Sequence, residues 1–314
     1  MQPATAGDPI TGLKWTRKTT IKVSEELHKL GIEVGARTVA RLLDELDYRL
    51  RVNHKKLSRG SARVRSVRDQ QFLYIEEMRR CFAERGLPVL SVDTKKKELI
   101  GCFKNPGAAW TKLATPVNDH DFRSDAKYIT SPNAVFDTVA NRGHVFVGIS
   151  HDTPGFATDN LARWWEIEGR TRYPKADKLL ILADSGGSNG SRCSAWKHGL
   201  ATKLCLPNQL DVTVCHYPPG ASKWNPIEHR LFSQISKNWA GEPLTSLEKM
   251  LKFIRTTKTS TGLKVRATLV RRKYPKGIKP TSTEMAAVPL LPHDVLPEWN
   301  YTIAARAQAL RNGN

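Results

Sequence analysis

Three acidic residues stand where a folded chain would place catalytic carboxylates. Asp93 directly follows the apolar run 88–92. Asp184 follows a second apolar run, 179–183, and Glu228 lies in the first turn of a predicted helix. Because ligands gather at the carboxyl ends of strands in open α/β sheets, we expect the two aspartates to converge. Carboxylates there suit Mg²⁺, and two such ions roughly 3.5–4 Å apart can stabilise both oxygens of a phosphoryl transfer.

Each acid also has a plain structural interpretation. Aspartate is common where strands end, so Asp93 and Asp184 could be turn residues. Glu228 could complete a capping box in which Asn225 is the N-cap and Pro226 takes the first helical position. Glu228 also shares its helix face with the apolar residues three and four positions later, so its side chain should lean toward the sheet. Catalysis and capping are compatible for this residue.

The loop after Asp184 could be mistaken for a nucleotide-binding motif. Residues 185–190 read Ser-Gly-Gly-Ser-Asn-Gly. A dinucleotide fingerprint needs glycine at the first of these positions, and the chain has no phosphate-binding Gly-Lys-Ser/Thr sequence there. We therefore expect a tight loop that lets a DNA backbone approach the Asp184 carboxylate.

The elements that must position these acids alternate along the chain. Short apolar runs predict strands, and wider-spaced apolar residues predict helices. The predicted strands are 88–92, 95–100, 144–149, 179–183 and 212–215, and helices are expected around 72–82, 161–165 and 227–239. This alternation predicts an α/β domain with a mixed sheet.

The N-terminal region, residues 19–50, has the pattern of two short helices and a turn. Gly31 ends the first helix, and the second carries an apolar stripe that begins at Val39. Arg37, Thr38 and Arg41 lie on the opposite face, where a recognition helix would contact DNA. A helix-turn-helix is therefore predicted, although any small helical hairpin would share the stripe.

The charge of the chain favours a polyanionic partner. Its 314 residues include 50 Lys or Arg and 30 Asp or Glu, which gives a net charge of +20. Residues 49–68 and 252–279 are rich in bases and contain no acid. Solvated surface or a ribosome-like role would give the same pattern, but two such runs favour a track for phosphates. The candidate phosphate contacts outside the helical hairpin are Lys55, Lys56, Lys95, Lys96, Lys97, Lys223, Arg271, Arg272 and Lys273.

Several other classes are excluded by the sequence. No apolar run approaches the roughly 20 residues needed to cross a bilayer, and no signal peptide is visible. The five cysteines include no close pair, so we expect free thiols in a reducing cytoplasm and no structural zinc site.

Three ordered blocks carry a resemblance to a known family. They are residues 91–98 (Ser-Val-Asp-Thr-Lys-Lys-Lys-Glu), 183–192 (Ala-Asp-Ser-Gly-Gly-Ser-Asn-Gly-Ser-Arg) and 215–232, which contains Asn-Pro-Ile-Glu-His-Arg. The chain resembles, from about residue 15 to 303, the "Rhodopirellula transposase" DDE family of ISAzo-type bacterial insertion sequences.

The resemblance implies an RNase H-like catalytic core in which Asp93, Asp184 and Glu228 bind two Mg²⁺ or Mn²⁺ ions. The implied reaction is hydrolysis at the ends of the element, followed by attack of a 3′-hydroxyl on target DNA. The implied partners are double-stranded DNA and further copies of the chain in a synaptic complex, with no membrane. The expected location is the cytoplasm, in association with the nucleoid.

The expected organisation is a helix-turn-helix region (1–50), a basic linker (51–68), an RNase H-like catalytic domain (69–303) and a C-terminal tail (304–314). Members of the family usually extend further at the N-terminus, so we expect this chain to be truncated or started internally. The alternative function is therefore a catalytically silent remnant that binds DNA. A weaker third option is an RNase H-like nuclease or Holliday-junction resolvase that cuts without joining.

Overall fold

The computed structural model describes residues 5–7, 14–16, 19–48, 62–108 and 112–305. The chain divides into two compact units, Met1–Gly60 and Ser61–Asn314. No helix in the described ranges is long and apolar enough to cross a membrane.

The first unit contains a short hairpin and two helices. The hairpin pairs strand β1 (Thr5–Gly7) with β2 (Lys14–Thr16), and the helices are α1 (Thr20–Lys29) and α2 (Ala36–Glu45). Both helices fall within the region predicted from the apolar pattern. Val23 and Val39 are buried between them, whereas Leu46 of the predicted stripe is exposed. The role of this hairpin of helices in DNA binding stays a prediction.

The second unit is built on one mixed sheet. Its strands are β3 (Val89–Thr94), β4 (Glu98–Ile100), β5 (Tyr128–Asp137), β6 (Arg142–Gly148), β7 (Lys178–Asp184), β8 (Asp211–Tyr217), β9 (Lys264–Val270), β10 (Leu290–Pro292) and β11 (Asn300–Ile303). The strand order is β10-β11-β8-β7-β3-β5-β6-β9, and β4 pairs with the first residues of β5, 128–130. Strands β3, β7 and β8 run parallel, and β5 lies antiparallel to β3. The predicted α/β class with a mixed sheet is confirmed.

The helices of the second unit are α3 (Ala62–Glu84), α4 (Pro154–Trp164), α5 (Arg170–Arg172), α6 (Ser194–Leu200), α7 (Leu206–Asn208), α8 (Ser233–Asn238), α9 (Leu247–Thr256) and α10 (Ser282–Ala286). Three wider π-helical turns continue some of them. The turn Trp165–Gly169 joins α4 to α5, Ala201–Cys205 joins α6 to α7, and Glu228–Phe232 leads into α8.

Both faces of the sheet are covered, which explains the uninterrupted apolar run in β7. Leu179, Ile181 and Ala183 pack against α4 and α6 on one face. Leu180 and Leu182 pack against α3 on the other. A strand between two helical layers has no side facing water, so all its positions are apolar. The helix that carries Glu228 covers β5 and β6 on the same face as α3.

Two boundaries differ from the sequence prediction. Helix α3 already begins at Ala62, so the end of the predicted linker 51–68 is helical, and residues 49–61 lie outside the described residues. The predicted tail 304–314 begins inside the fold. Ala304 and Ala305 are buried, and the Ala305 amide donates to Asp211 at 2.8 Å. Residues 306–314 lie outside the described part of the chain.

Candidate active site

Asp93 and Asp184 end two neighbouring parallel strands. Val92 of β3 is in register with Ala183 of β7, so the next residue on each strand is one of the two aspartates. Side chains alternate between the faces of a strand. Both aspartates therefore project on the face covered by α3, because Ser91 and Leu182, two residues earlier, contact elements on that face.

Glu228 reaches the same place from a helix. The helix packs through Ile227 and Leu231 against β5 and β6. Its first turn is tied to β3, because the buried Ser91 hydroxyl accepts a hydrogen bond from the Ile227 amide at 3.1 Å. The strand that carries Asp93 thus caps the helix that carries Glu228. This contact fixes the separation of two of the three carboxylates.

Asn225 does not act as the N-cap that the sequence suggests. Its side chain is fully buried and donates to the Asp184 carboxylate at 3.2 Å, while its oxygen accepts from the Ser91 hydroxyl. Asn225 therefore orients Asp184 and links all three carboxylate-bearing elements. The sequence places it beside Pro226 at a helix start, where capping was the more ordinary expectation.

The three carboxylates lie close enough to perturb one another. Burial raises the pKa of Asp93 to about 8, with further contributions from the charges of Asp184, Glu228 and Asp152, against a hydrogen bond from the Thr94 amide. Burial also raises the pKa of Asp184, against the Asn225 hydrogen bond. A like-charged group disfavours ionisation of its neighbour, so the cluster favours a compensating cation.

The pKa of Glu228 is also raised, and neighbouring positive charges oppose part of the rise. Burial and then the charge of Asp184 raise its pKa, whereas Lys95, His229 and a hydrogen bond with Asp93 oppose the rise. The charge of Glu228 in turn contributes to the raised pKa of Asp93, so the two carboxyl groups are near neighbours. Glu228 thus belongs to the same cluster as the strand-end aspartates.

The donor chemistry of this cluster fits a hard divalent cation, because its donors are carboxylate oxygens with raised pKa values. The positions of these side chains fit a bound ion less well than their chemistry does. Within the described residues, no three His, Cys, Asp or Glu side chains converge closely enough to hold one ion directly. Joint binding by all three would therefore require rotation of the side chains.

Asp152 is a fourth carboxylate at the site, and sequence inspection missed it. It precedes α4 and lines a cleft of about 430 Å³ together with Asp93 and Asp184. The Asp152 Oδ1 atom accepts hydrogen bonds from Thr94 Oγ1 at 3.2 Å and from Ser188 Oγ at 3.1 Å. Asp152 thus joins the residue after Asp93 to the loop after Asp184. In the sequence, the local feature that marks Asp152 is its position directly before Thr153 and Pro154, where a helix begins.

A chain of amides extends this support into the core. Asn133 of β5 donates to Thr94 Oγ1 at 3.1 Å, and Asn160 of α4 donates to Asn133 Oδ1 at 2.9 Å. Asn133 and Asn160 are both buried. Thr94 is therefore held from the sheet and from α4, which fixes the backbone beside Asp93.

The loop after Asp184 is compact, as expected. Gly187 has φ +77°, a left-handed conformation that glycine adopts without a Cβ penalty. Asn189 then turns inward and donates to the Val92 carbonyl at 3.3 Å. The loop continues from β7, is hydrogen-bonded to β3, and forms one wall of the cleft.

Lys95 departs from its predicted role. The sequence predicts a phosphate contact, but the Lys95 side chain is only 6% exposed and forms an ion pair with the buried Glu98. Its ammonium group also lies over the Trp239 ring, 5.0 Å from the centroid. Lys95 acts inside the protein, where its charge favours ionised Glu228. This placement speaks against Lys95 as a surface contact for DNA.

The remaining basic candidates of the second unit are exposed. Lys96 and Lys97 follow β3. Burial raises the pKa of Asp152, and the charge of Lys97 is among the contributions that oppose this rise. Lys223 precedes the Glu228 helix, and its ammonium lies 5.2 Å from the Trp224 ring centroid. These three lysines lie on segments that adjoin the carboxylate cluster.

The basic segment 271–279 lies near the cleft as well. Arg271, Arg272 and Lys273 are exposed, and Arg272 pairs with Asp159 at 3.0 Å. Arg272 lines a second cavity of about 510 Å³, which shares Asp152 with the carboxylate cleft. The C-terminal basic run and the carboxylates are therefore neighbours.

The predicted DNA contacts of the first unit are only partly described. Arg37 and Arg41 are exposed on α2, where Arg41 pairs with Glu45, and Thr38 is half-buried. The prediction for Lys55 and Lys56 concerns residues outside the described part of the chain.

A mixed sheet whose parallel central strands end in two aspartates, with a glutamate brought in by a covering helix, defines an RNase H-like protein of the DDE class. The whole-chain pattern agrees with this class. Residues 1–305 match the family described as "Rhodopirellula transposase DDE domain", and the chain belongs to that family.

Solved structures with a similar chain path come from Mos1. The "Mos1 transposase paired-end complex with left transposon end" is 15% identical, with a TM-score of 0.46, over 75% of this chain and 65% of that chain. The "Mos1 mariner paired end complex with Mn" is 16% identical, with a TM-score of 0.44 and the same coverage. This chain thus spans less than two thirds of their length. Among curated protein sequences, none matches the chain significantly.

Proposed function

We propose that this protein is a DDE transposase that cleaves the ends of an insertion sequence and joins them to target DNA in a metal-dependent reaction. The observation that carries the proposal is the meeting of Asp93, Asp184 and Glu228 at the carboxyl edge of the sheet. These acids are far apart in sequence and come from three separate elements. A turn or capping role would not require them to share one site.

The proposed ligands of Mg²⁺ or Mn²⁺ are Asp93, Asp184 and Glu228, with two ions in the working enzyme. Bound divalent ions supply Lewis-acid stabilisation of the phosphoryl oxygens and of the attacking and leaving groups. The protein supplies the positions of the ligands through Asn225 and Ser91. Once the carboxylates have rotated onto the ions, these bonds would hold them in place, which lowers the barrier by reducing reorganisation during the reaction.

The proposed substrate is double-stranded DNA, which the exposed bases attract and orient. Lys96, Lys97 and Lys223 adjoin the carboxylates, and the segment 271–273 continues the positive surface past the second cavity. Phosphate contacts of this kind position the backbone without selecting sequence. Helix α2, with Arg37, Thr38 and Arg41, is proposed to contact the terminal repeats. A second copy of the chain is proposed to complete the synaptic complex, in the cytoplasm at the nucleoid.

The test is strand cleavage and strand transfer on DNA that carries the terminal repeats of the element, in Mg²⁺ and in Mn²⁺. We expect Asp184→Asn to lower the cleavage rate at least about 100-fold, because it removes charge that acts on the reacting phosphate. The matched control is Asp119→Asn, the same chemical change at an exposed carboxylate.

Wild-type activity in Asp184→Asn would refute the catalytic assignment. Binding of terminal-repeat DNA without cleavage in either metal would instead support the silent DNA-binding alternative. Cleavage without any joining would support the nuclease or resolvase option.

A further inference from the structure

Trp224 is a large aromatic side chain with no role in the site described so far. It is 56% exposed, whereas Trp164, Trp165, Trp196 and Trp239 are all less than 5% exposed. Tryptophan carries more apolar surface than other side chains, and its burial is strongly favourable. A tryptophan that stays exposed next to the proposed catalytic cluster is therefore a candidate contact for a ligand.

The position of Trp224 is fixed by the backbone of the site. It directly precedes Asn225, whose side chain bonds to Asp184, and it stands four residues before Glu228. The Trp224 amide donates to the Ala221 carbonyl at 2.8 Å, and Ala221 is fully buried. The segment that carries the ring is thus anchored to the interior.

The ring itself has a support on one side. Phe72 of α3 contacts it edge to face, with the ring centroids 5.9 Å apart. Helix α3 covers the face of the sheet on which Asp93 and Asp184 project. Trp224 therefore lies on the same face of the sheet as the carboxylates, with its ring packed against α3 through Phe72.

The charge beside the ring identifies the class of ligand. The Lys223 ammonium lies over one face of the Trp224 ring, 5.2 Å from the centroid, and Lys223 is exposed, so a base would stack on the opposite face. An aromatic face next to a lysine is the combination that binds unpaired nucleic acid, with the base stacked on the ring and the backbone phosphate near the cation. A base pair inside a duplex cannot use such a face, because its neighbours already cover both of its sides.

We propose that Trp224 is a stacking platform for an unpaired nucleobase at the DNA end held by the carboxylates, with Lys223 on the adjoining phosphate. The proposal rests on the proposed function, since it needs DNA in this site. It adds a requirement for local opening of the duplex next to the scissile phosphate. Stacking tolerates any base, so the subsite recognises the unpaired state and not a sequence.

The experiment compares two DNA probes with the full-length protein. One is a short blunt duplex, and the other is the same duplex with a single-stranded 3′ extension that contains 2-aminopurine. Dissociation constants come from fluorescence anisotropy, and the fluorescence of 2-aminopurine reports stacking. The variants are Trp224→Ala, Trp224→Phe and the control Val139→Ala, an exposed apolar residue in the β5–β6 turn at the opposite end of the sheet.

We expect the wild-type protein to bind the extended probe more tightly than the blunt one and to quench 2-aminopurine. Trp224→Ala should weaken binding of the extended probe by about 5- to 150-fold, the loss measured for one stacked base. It should leave blunt-duplex binding unchanged, and Trp224→Phe should keep part of the preference and of the quenching. Val139→Ala should behave as wild type.

An undiminished preference and quenching in Trp224→Ala would overturn the stacking assignment while the proposed function stands. If Trp224→Ala and Trp224→Phe weakened binding of the blunt and the extended probe equally, the stacking assignment would also be overturned. Such a general binding defect does not depend on an unpaired base. Failure of the wild-type protein to bind either probe would overturn the proposed function together with the subsite.

Discussion

Asp152 offers a sharp test of how the site is held together, because two substitutions separate its charge from its hydrogen bonds. Thr94 and Ser188 both donate to the same atom, Asp152 Oδ1. Asparagine keeps that oxygen and can accept both bonds, whereas alanine removes them. If Asp152 acts by joining the end of β3 to the loop after Asp184, Asp152→Asn should retain activity and Asp152→Ala should lose it.

The expected size follows from the two bonds. A hydrogen bond to a charged group contributes about 1.5–3 kcal/mol, and a bond between neutral groups about 0.5–1.5 kcal/mol. The cleft is open to water, which can replace part of what alanine removes. We therefore expect Asp152→Ala to raise the barrier by about 1–3 kcal/mol, or about 5- to 150-fold in rate. Asp152→Asn, which keeps both acceptor contacts, should lose less than about 5-fold.

The assay is single-turnover cleavage of terminal-repeat DNA across a range of Mg²⁺ concentrations, with thermal unfolding as the control for folding. Equal and large losses in both variants would refute the hydrogen-bond argument, because the shared change would then be the loss of charge. Wild-type rates in Asp152→Ala would show that the β3 end and the loop are held without this residue.

Two further predictions concern buried charge. The folded-state pKa of Asp93 is raised to about 8 from its ordinary 3.8, so native protein binds this proton more tightly than unfolded protein, and stability falls as pH rises through that window. In metal-free buffer, Asp93→Asn should raise the unfolding temperature relative to wild type at about pH 8 and much less at about pH 4. An identical pH dependence of unfolding in the two proteins would contradict this cause. Lys95→Met should destabilise the fold by up to about 3–5 kcal/mol in denaturant titration, because the buried Glu98 then keeps only the more distant Lys96 as a counter-charge. The double variant Lys95→Met with Glu98→Gln should recover most of that loss. Failure to recover would show that the contact of the ammonium with the Trp239 ring, and not the ion pair with Glu98, is what Lys95 supplies.

Much of the central sheet could be predicted from local patterns. The apolar run of β7 and the ends of β3 and β8 are visible in the sequence because both faces of these strands are buried. Strand β5 was not predicted, because Pro132 and Asn133 in its middle resemble a turn. The structure explains the exception. Pro132 stays in register with Val147 of β6, but the β3 register ends at the Thr94–Asn133 pair. On that side Pro132 needs only its carbonyl, which accepts from the Lys95 amide at 2.9 Å.

The proposed catalytic acids could be predicted from the sequence, and the residues that support them could not. Asp93, Asp184 and Glu228 each follow or begin an element, so their types and places are local features of the chain. Asp152 and Asn225 gain their roles only from partners more than thirty residues away, Thr94 and Asp184. No local pattern distinguishes these supports from ordinary helix-start residues.

The sequence by itself therefore determined which residues could do chemistry, the order of the elements that carry them, and the positive charge that suits a DNA substrate. Composition and periodicity are properties of the chain before it folds. Only the tertiary structure decided which charged side chains are exposed and which are buried. It buried Lys95 against Glu98 and left Trp224 open beside the site, because burial depends on which distant elements pack together.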